Sequence, residues 1–126
     1  MPPAGSPALL LYAHGSPEPG WRAPFDALAD ALRAAAPGRP LRLAFLERMR
    51  PTLDEALADL ATEGVTAVRI VPLFLAAGRH TRVDLPARVA ELRDRLPGIT
   101  LTVDATLLES APIRAAIARA LLDAES

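Results

Sequence analysis

Residues 68–75, VRIVPLFL, form the most apolar stretch of the chain and predict a buried central strand. Pro72 lies inside this stretch, and because proline has no N–H to give to a ladder, we expect a bulge or a strand end nearby. Three further short runs predict strands at residues 9–13 (LLLYA), 41–46 (LRLAFL) and 99–103 (ITLTV). Buried strands of this kind are typical of a parallel sheet that is covered by helices.

Apolar residues at helical spacing separate these strands. The second helical segment opens with a capping box, in which Thr52 and Glu55 satisfy free backbone N–H groups. The last segment begins at Ser110 with Pro112 in its first turn. The helical segments begin near residues 25, 52, 84 and 110. The order βα, repeated four times, predicts an α/β fold: one domain, residues 1–126, with a four-stranded, mainly parallel sheet and helices on both faces.

The composition excludes several kinds of chemistry. The formal net charge is -1, whereas a nucleic-acid-binding protein normally carries a basic excess. The chain has no cysteine and no lysine, which excludes disulfides, thiolate metal sites and Schiff-base chemistry on a lysine. No apolar run approaches the roughly 20 residues that cross a bilayer, and the N-terminal residues do not resemble a signal peptide. We therefore expect no nucleic-acid or membrane partner and a cytoplasmic location.

The two histidines of the chain both lie in predicted strand-to-helix loops. His14 follows the first strand and His80 the third, while Glu47 follows the second. In open α/β folds, ligands bind beyond the carboxyl ends of the strands, so these three residues are expected at one rim of the sheet. Two imidazoles and a carboxylate suit a divalent first-row metal, and imidazole is also a proton acceptor near neutral pH. The pattern indicates a metal or acid–base site, although each residue taken alone is more typical of an ordinary loop.

Other residues of the same loops have two interpretations each. Gly15 and Ser16 offer N–H and hydroxyl groups to an anion, or simply fit a tight loop. Arg79 and Arg82 flank His80 and suit substrate carboxylates, or are solvated surface arginines. Trp21 is able to cover a flat ring, as is Phe25, which fits the helix core better.

Three segments, in order, resemble the sirohydrochlorin chelatases. LLLYAHGSPEPGW, from residue 9, resembles their first strand running into His-Gly-Ser. FLERMRPTLDEAL, from residue 45, resembles their second strand with its glutamate, and VPLFLAAGRHTRVDLP, from residue 71, is the most specific match. The resemblance extends over residues 9–122, nearly the whole chain.

The resemblance implies a class II chelatase half-domain that pairs as a homodimer and inserts Co²⁺, Fe²⁺ or Ni²⁺ into sirohydrochlorin or a related tetrapyrrole. The metal is then a substrate, and no cofactor stays permanently bound. Carried over by position, His14 and His80 bind metal and accept the pyrrole protons, with Glu47 assisting. Ser16 and the loop near Gly78 would face the macrocycle.

Two other classes of function compete with this one. A non-catalytic tetrapyrrole- or metal-binding protein on the same fold would differ by its lack of metal-dependent turnover. The His-Gly dipeptide also allows the interpretation of a hydrolase or a phosphatase. A hydrolase is disfavoured because no G-x-S-x-G elbow occurs. A histidine phosphatase is disfavoured because Ala13 precedes His14 where that class would have arginine.

Overall fold

A computed structural model describes residues 6–125 of the chain, apart from the side chain of residue 80. It contains four strands that alternate with four helices in a repeated βα order. The elements are β1 (Ala8–Ala13), α1 (Ala23–Ala35), β2 (Leu41–Phe45), α2 (Leu53–Thr62), β3 (Ala67–Pro72), α3 (Leu85–Arg95), β4 (Thr100–Val103) and α4 (Ala111–Asp123). The strands form one sheet in the order β2-β1-β3-β4, and every pairing is parallel. The predicted α/β fold with a parallel sheet is confirmed.

Side chains that alternate along the strands fill two separate cores. Leu10 and Tyr12 of β1 face α2 and α3, together with Val68 and Ile70 of β3. The opposite face of β1 and β2 packs under α1, around the buried ring of Phe45. Helices therefore cover both faces of the sheet, as the repeated βα order predicts.

Strand β3 ends at Pro72, three residues before the predicted end of the apolar run. Pro72 is opposite Tyr12 in the register, and the last bond between these segments runs from Leu73 N–H to the Tyr12 carbonyl at 2.8 Å. The strand end expected near Pro72 is confirmed, because the ladder does not continue past the proline and the last three residues of the apolar run lie outside it. The chain instead carries Phe74 and Leu75 over the carboxyl edge of the sheet.

The helix starts follow the predicted capping residues. Thr52 Oγ1 accepts from Glu55 N–H at 3.2 Å, and the Glu55 carboxylate accepts from Thr52 N–H at 2.9 Å. Ser110 Oγ accepts from Ile113 N–H at 3.3 Å at the start of α4. The sequence pattern did not indicate the π-helical turn His80–Asp84 that leads into α3.

The last helix is less buried than its apolar spacing suggests. Ile113 and Ile117 are half-buried, whereas Leu121 is 67% exposed. α4 packs mainly against the short 3₁₀ turn Leu107–Glu109. None of the helices within residues 6–125 is long and apolar enough to cross a membrane.

Candidate active site

The three residues predicted to bind metal belong to loops at the carboxyl edge of three neighbouring strands. His14 directly follows β1, and Glu47 lies two residues beyond β2. His80 begins the π-helical turn that follows β3, and its side chain lies outside the described residues. Because β1 stands between β2 and β3, the three loops are adjacent. The side chains of His14 and Glu47 are both exposed.

The loops after β1 and β2 are in direct backbone contact. A Cβ atom added at Gly15 would lie 1.6 Å from the Glu47 carbonyl oxygen and 3.2 Å from Met49 N. Just before these residues, where the two strands end, Leu46 N–H donates to the Ala13 carbonyl at 2.8 Å. Only glycine fits at position 15, so its small size serves the packing of the two loops on each other. This contact fixes the backbone that carries His14 against the backbone that carries Glu47.

Hydrogen bonds within the loop that follows β1 also hold the backbone of His14 in place. The Trp21 indole N–H donates to the His14 carbonyl at 2.8 Å. Ser16 Oγ accepts from Glu18 N–H at 3.1 Å, which leaves the hydroxyl hydrogen of Ser16 available as a donor. The loop is thus closed on itself, and the predicted anion contact of Gly15 and Ser16 stays a prediction.

A groove of about 360 Å³ opens beside His14. The His14 ring stacks at a tilt against Phe74, with ring centroids 4.6 Å apart. Trp21 is 38% exposed and contacts Phe25 at 5.6 Å between centroids. Phe25 itself packs into the core under α1 beside Phe45, as its helical spacing predicts. The remaining lining is aliphatic: Leu73, Leu75 and Ala76.

Two more depressions continue the groove along the rim. The first, of about 120 Å³, shares His14, Phe74 and Ala76 with the groove and adds Gly78 and Thr81. Gly78 N–H donates to Thr81 Oγ1 at 2.9 Å, so this amide serves the local turn.

The second depression, of about 390 Å³, shares Thr81 and reaches Arg82. No ion pair joins Arg82 to another residue of the described part of the chain. Arg79 lies exposed in the same segment. The row of depressions therefore runs from an apolar, aromatic end at Trp21, past His14, to a polar and charged end at Arg82.

Two carboxylates, Asp104 and Glu109, line the depression that reaches Arg82. Arg69 forms a two-pronged contact with Asp104, whose oxygens lie 2.6–2.9 Å from the guanidinium. Glu109 accepts from the hydroxyl and N–H of Thr106, and these bonds lower the pKa of the Glu109 carboxyl. Arg82 lines the same depression as both carboxylates, and in the described part of the chain it forms no ion pair with either of them.

The opposite side of the rim holds a buried phenol and an ion-pair cluster. Burial raises the pKa of Tyr12 to about 12, which keeps the phenol neutral under ordinary conditions. Arg88, beside it, pairs with Asp54 and with Glu91, the latter at 2.8 Å. Tyr12 is buried, as the position of this residue inside β1 predicts.

Within the described residues, no three His, Cys, Asp or Glu side chains are grouped closely enough to hold a metal ion. The predicted set of His14, Glu47 and His80 includes a side chain outside that description and stays a prediction. The sequence did not indicate Phe74, Leu75 or Thr81 as rim residues. The break that Pro72 imposes on β3 was the available signal for the first two.

Comparisons with known proteins agree with this fold. The family model CbiX matches residues 8–124. A sirohydrochlorin cobaltochelatase of Methanothermobacter thermautotrophicus is 37% identical over 78 residues, which cover 62% of this chain and 54% of that protein. The chain thus spans about half the length of this relative.

Two solved structures share the fold. A CbiX protein from Marinobacter aquaeolei VT8 is 31% identical with a TM-score of 0.80, over 95% of this chain and 97% of that one. The sirohydrochlorin chelatase SirB from Bacillus subtilis subspecies spizizenii, in complex with cobalt, is 25% identical with a TM-score of 0.72. That similarity covers 79% of this chain and 43% of SirB. The family match over nearly the whole chain shows that this protein belongs to the CbiX family.

Proposed function

We propose that the chain inserts a divalent metal ion, with Co²⁺ as the first candidate, into sirohydrochlorin or a closely related tetrapyrrole. The observation that carries the proposal is the row of grooves along the rim, which is apolar at Trp21 and has Arg82 at its polar end, with His14 between them. A tetrapyrrole with peripheral carboxylates has the matching character: a flat apolar ring surrounded by anions. The names of the relatives support the same substrate and metal.

The proposed mechanism uses the metal as a substrate. His14, His80 and Glu47 receive M²⁺ at one face of the ring, and imidazole nitrogen accepts the two pyrrole protons that the incoming ion replaces. The net reaction exchanges one M²⁺ for two H⁺, so the neutral form of each histidine is the active one. Arg82 and Arg79 hold ring carboxylates, assisted by the loop groups of Gly15 and Ser16, while the turn at Gly78 faces the macrocycle.

We also propose that two copies of the chain form the working unit, in the cytoplasm. SirB is matched over 43% of its length, so two copies of this chain approach the size of that single protein. The side chain of Leu121 on α4 is 67% exposed and is a candidate for burial between the copies.

The test is an anaerobic absorbance assay of the wild-type chain with sirohydrochlorin and Co²⁺, Fe²⁺ or Ni²⁺ in turn, against blanks without protein. We expect protein-dependent insertion with Co²⁺, lost in His14→Ala and in His80→Ala. Tight ring binding without faster insertion for any metal would favour a non-catalytic tetrapyrrole carrier. Full activity in the doubly substituted chain would contradict the histidine roles.

A further inference from the structure

The groove beside His14 combines two features that small-molecule sites share. Its lining is apolar and aromatic, and its volume of about 360 Å³ falls within the range of about 300–1,000 Å³ that is usual for ligand pockets. Two large apolar side chains of the lining remain accessible: Trp21 at 38% and Leu75 at 60% exposure.

The Trp21 side chain is fixed in place before any ligand arrives. Its indole N–H donates to the His14 carbonyl at 2.8 Å, and its ring contacts Phe25 at 5.6 Å. A flat side chain that is already ordered loses little conformational entropy when a ligand packs on it. The same hydrogen bond holds the ring of Trp21 next to the backbone that carries His14.

We propose that Trp21 and Leu75 form an apolar subsite that takes one pyrrole edge of the tetrapyrrole, floored by Phe74. This inference rests on the proposed function and names how the ring is oriented at that site. The groove is too small for four pyrrole rings, so it holds one side of the macrocycle. The carboxylates of the other side then extend along the rim past Thr81 toward Arg82, the direction in which the grooves become polar.

The experiment measures binding of metal-free sirohydrochlorin under anaerobic conditions, by the change in its visible absorbance, so that no metal step contributes. We expect Trp21→Ala and Leu75→Ala each to weaken binding about tenfold, which corresponds to about 1.4 kcal/mol. In the insertion assay, KM for sirohydrochlorin should rise by about the same factor while kcat changes less than about threefold, as is typical when ground-state and transition-state binding are lost equally.

Two further variants distinguish a direct contact of Trp21 with the ring from an indirect effect through the position of His14. Trp21→Phe retains an aromatic face but loses the N–H bond to His14, and we expect its binding to stay within about threefold of wild type. Leu122→Ala removes an equally accessible leucine (66% exposed) on α4 and should leave ring binding unchanged. Leu75 lies on an exposed segment, so its variant stays informative even if Trp21→Ala fails to fold.

The proposal is overturned if Trp21→Ala and Leu75→Ala bind the ring like wild type, or if Leu122→Ala weakens binding as much as they do. Equal losses in Trp21→Phe and Trp21→Ala would also overturn it, since Trp21 would then act through the His14 carbonyl. A change in sedimentation of Leu75→Ala with unchanged ring binding would assign the groove to a second copy of the chain. If the wild type neither binds nor metallates sirohydrochlorin, the proposed function fails together with the subsite.

Discussion

The close approach of Gly15 to Glu47 gives a prediction whose size follows from one distance. In Gly15→Ala the new Cβ would start 1.6 Å from the Glu47 carbonyl oxygen, whereas real Cβ contacts below 3.0 Å essentially do not occur. The two loops must therefore separate by about 1.4 Å, and the obstructing atom is backbone, which cannot rotate away. Forcing atoms into a packed site costs about 1–3 kcal/mol. For a chain of this size we expect the melting temperature to fall by several degrees.

The same movement should affect activity more than stability. A misplacement of about 1 Å at a reacting centre is able to cost about 100-fold in rate, and this displacement separates the loops of His14 and Glu47. We expect anaerobic cobalt insertion to slow by about 100-fold in Gly15→Ala. The matched control is Gly98→Ala, where an added Cβ meets nothing within 4 Å, so the melting temperature and the insertion rate should both stay near wild type. Wild-type activity in Gly15→Ala would refute the view that contact between these loops sets the site geometry.

Two predictions concern the dependence of stability on pH. Hydrogen bonds from Arg50 and Thr52 lower the pKa of Glu55 to about 2, so Glu55 favours the folded state above its ordinary pKa of about 4.3, and that contribution is lost as the pH falls toward 2. In Glu55→Gln, the free energy of unfolding measured with urea should fall less steeply than in the wild type as the pH is lowered. An unchanged fall would contradict this role of Glu55. Burial raises the pKa of Tyr12 to about 12, so its contribution is complete below pH 10 and is lost as the pH rises from about 10 to 12. Tyr12→Phe should remove this alkaline loss, and an identical loss in the variant would show that the phenol is not its source.

Much of the fold could be predicted because local signals agreed with the tertiary arrangement. The apolar runs gave all four strands to within a few residues at each end, and the Thr52–Glu55 capping box marked the start of α2. The placement of His14 and Glu47 at one rim followed from the rule that ligands lie beyond the carboxyl ends of parallel strands. These features depend on periodicity and short-range chemistry, which a sequence displays directly.

The features that were missed depend on contacts between distant segments. The reason for glycine at position 15 is the carbonyl of Glu47, which lies 32 residues farther along the chain. The exposure of Leu121 reflects where α4 docks, and its helical spacing is the same whether that face is covered or open. Likewise, the apolar run through Leu75 is typical of a strand. Its pattern does not show that Phe74 and Leu75, beyond the strand end at Pro72, line a groove.

The proposed chelatase inserts a metal ion into a tetrapyrrole through His14 and His80. Its most direct test is the initial rate of Co²⁺ insertion into sirohydrochlorin, measured anaerobically for the wild type and for the doubly substituted His14→Ala, His80→Ala chain at matched folded concentrations. We expect a rate well above the protein-free blank for the wild type and a rate equal to the blank for the double variant. Equal rates above the blank for both proteins would contradict it.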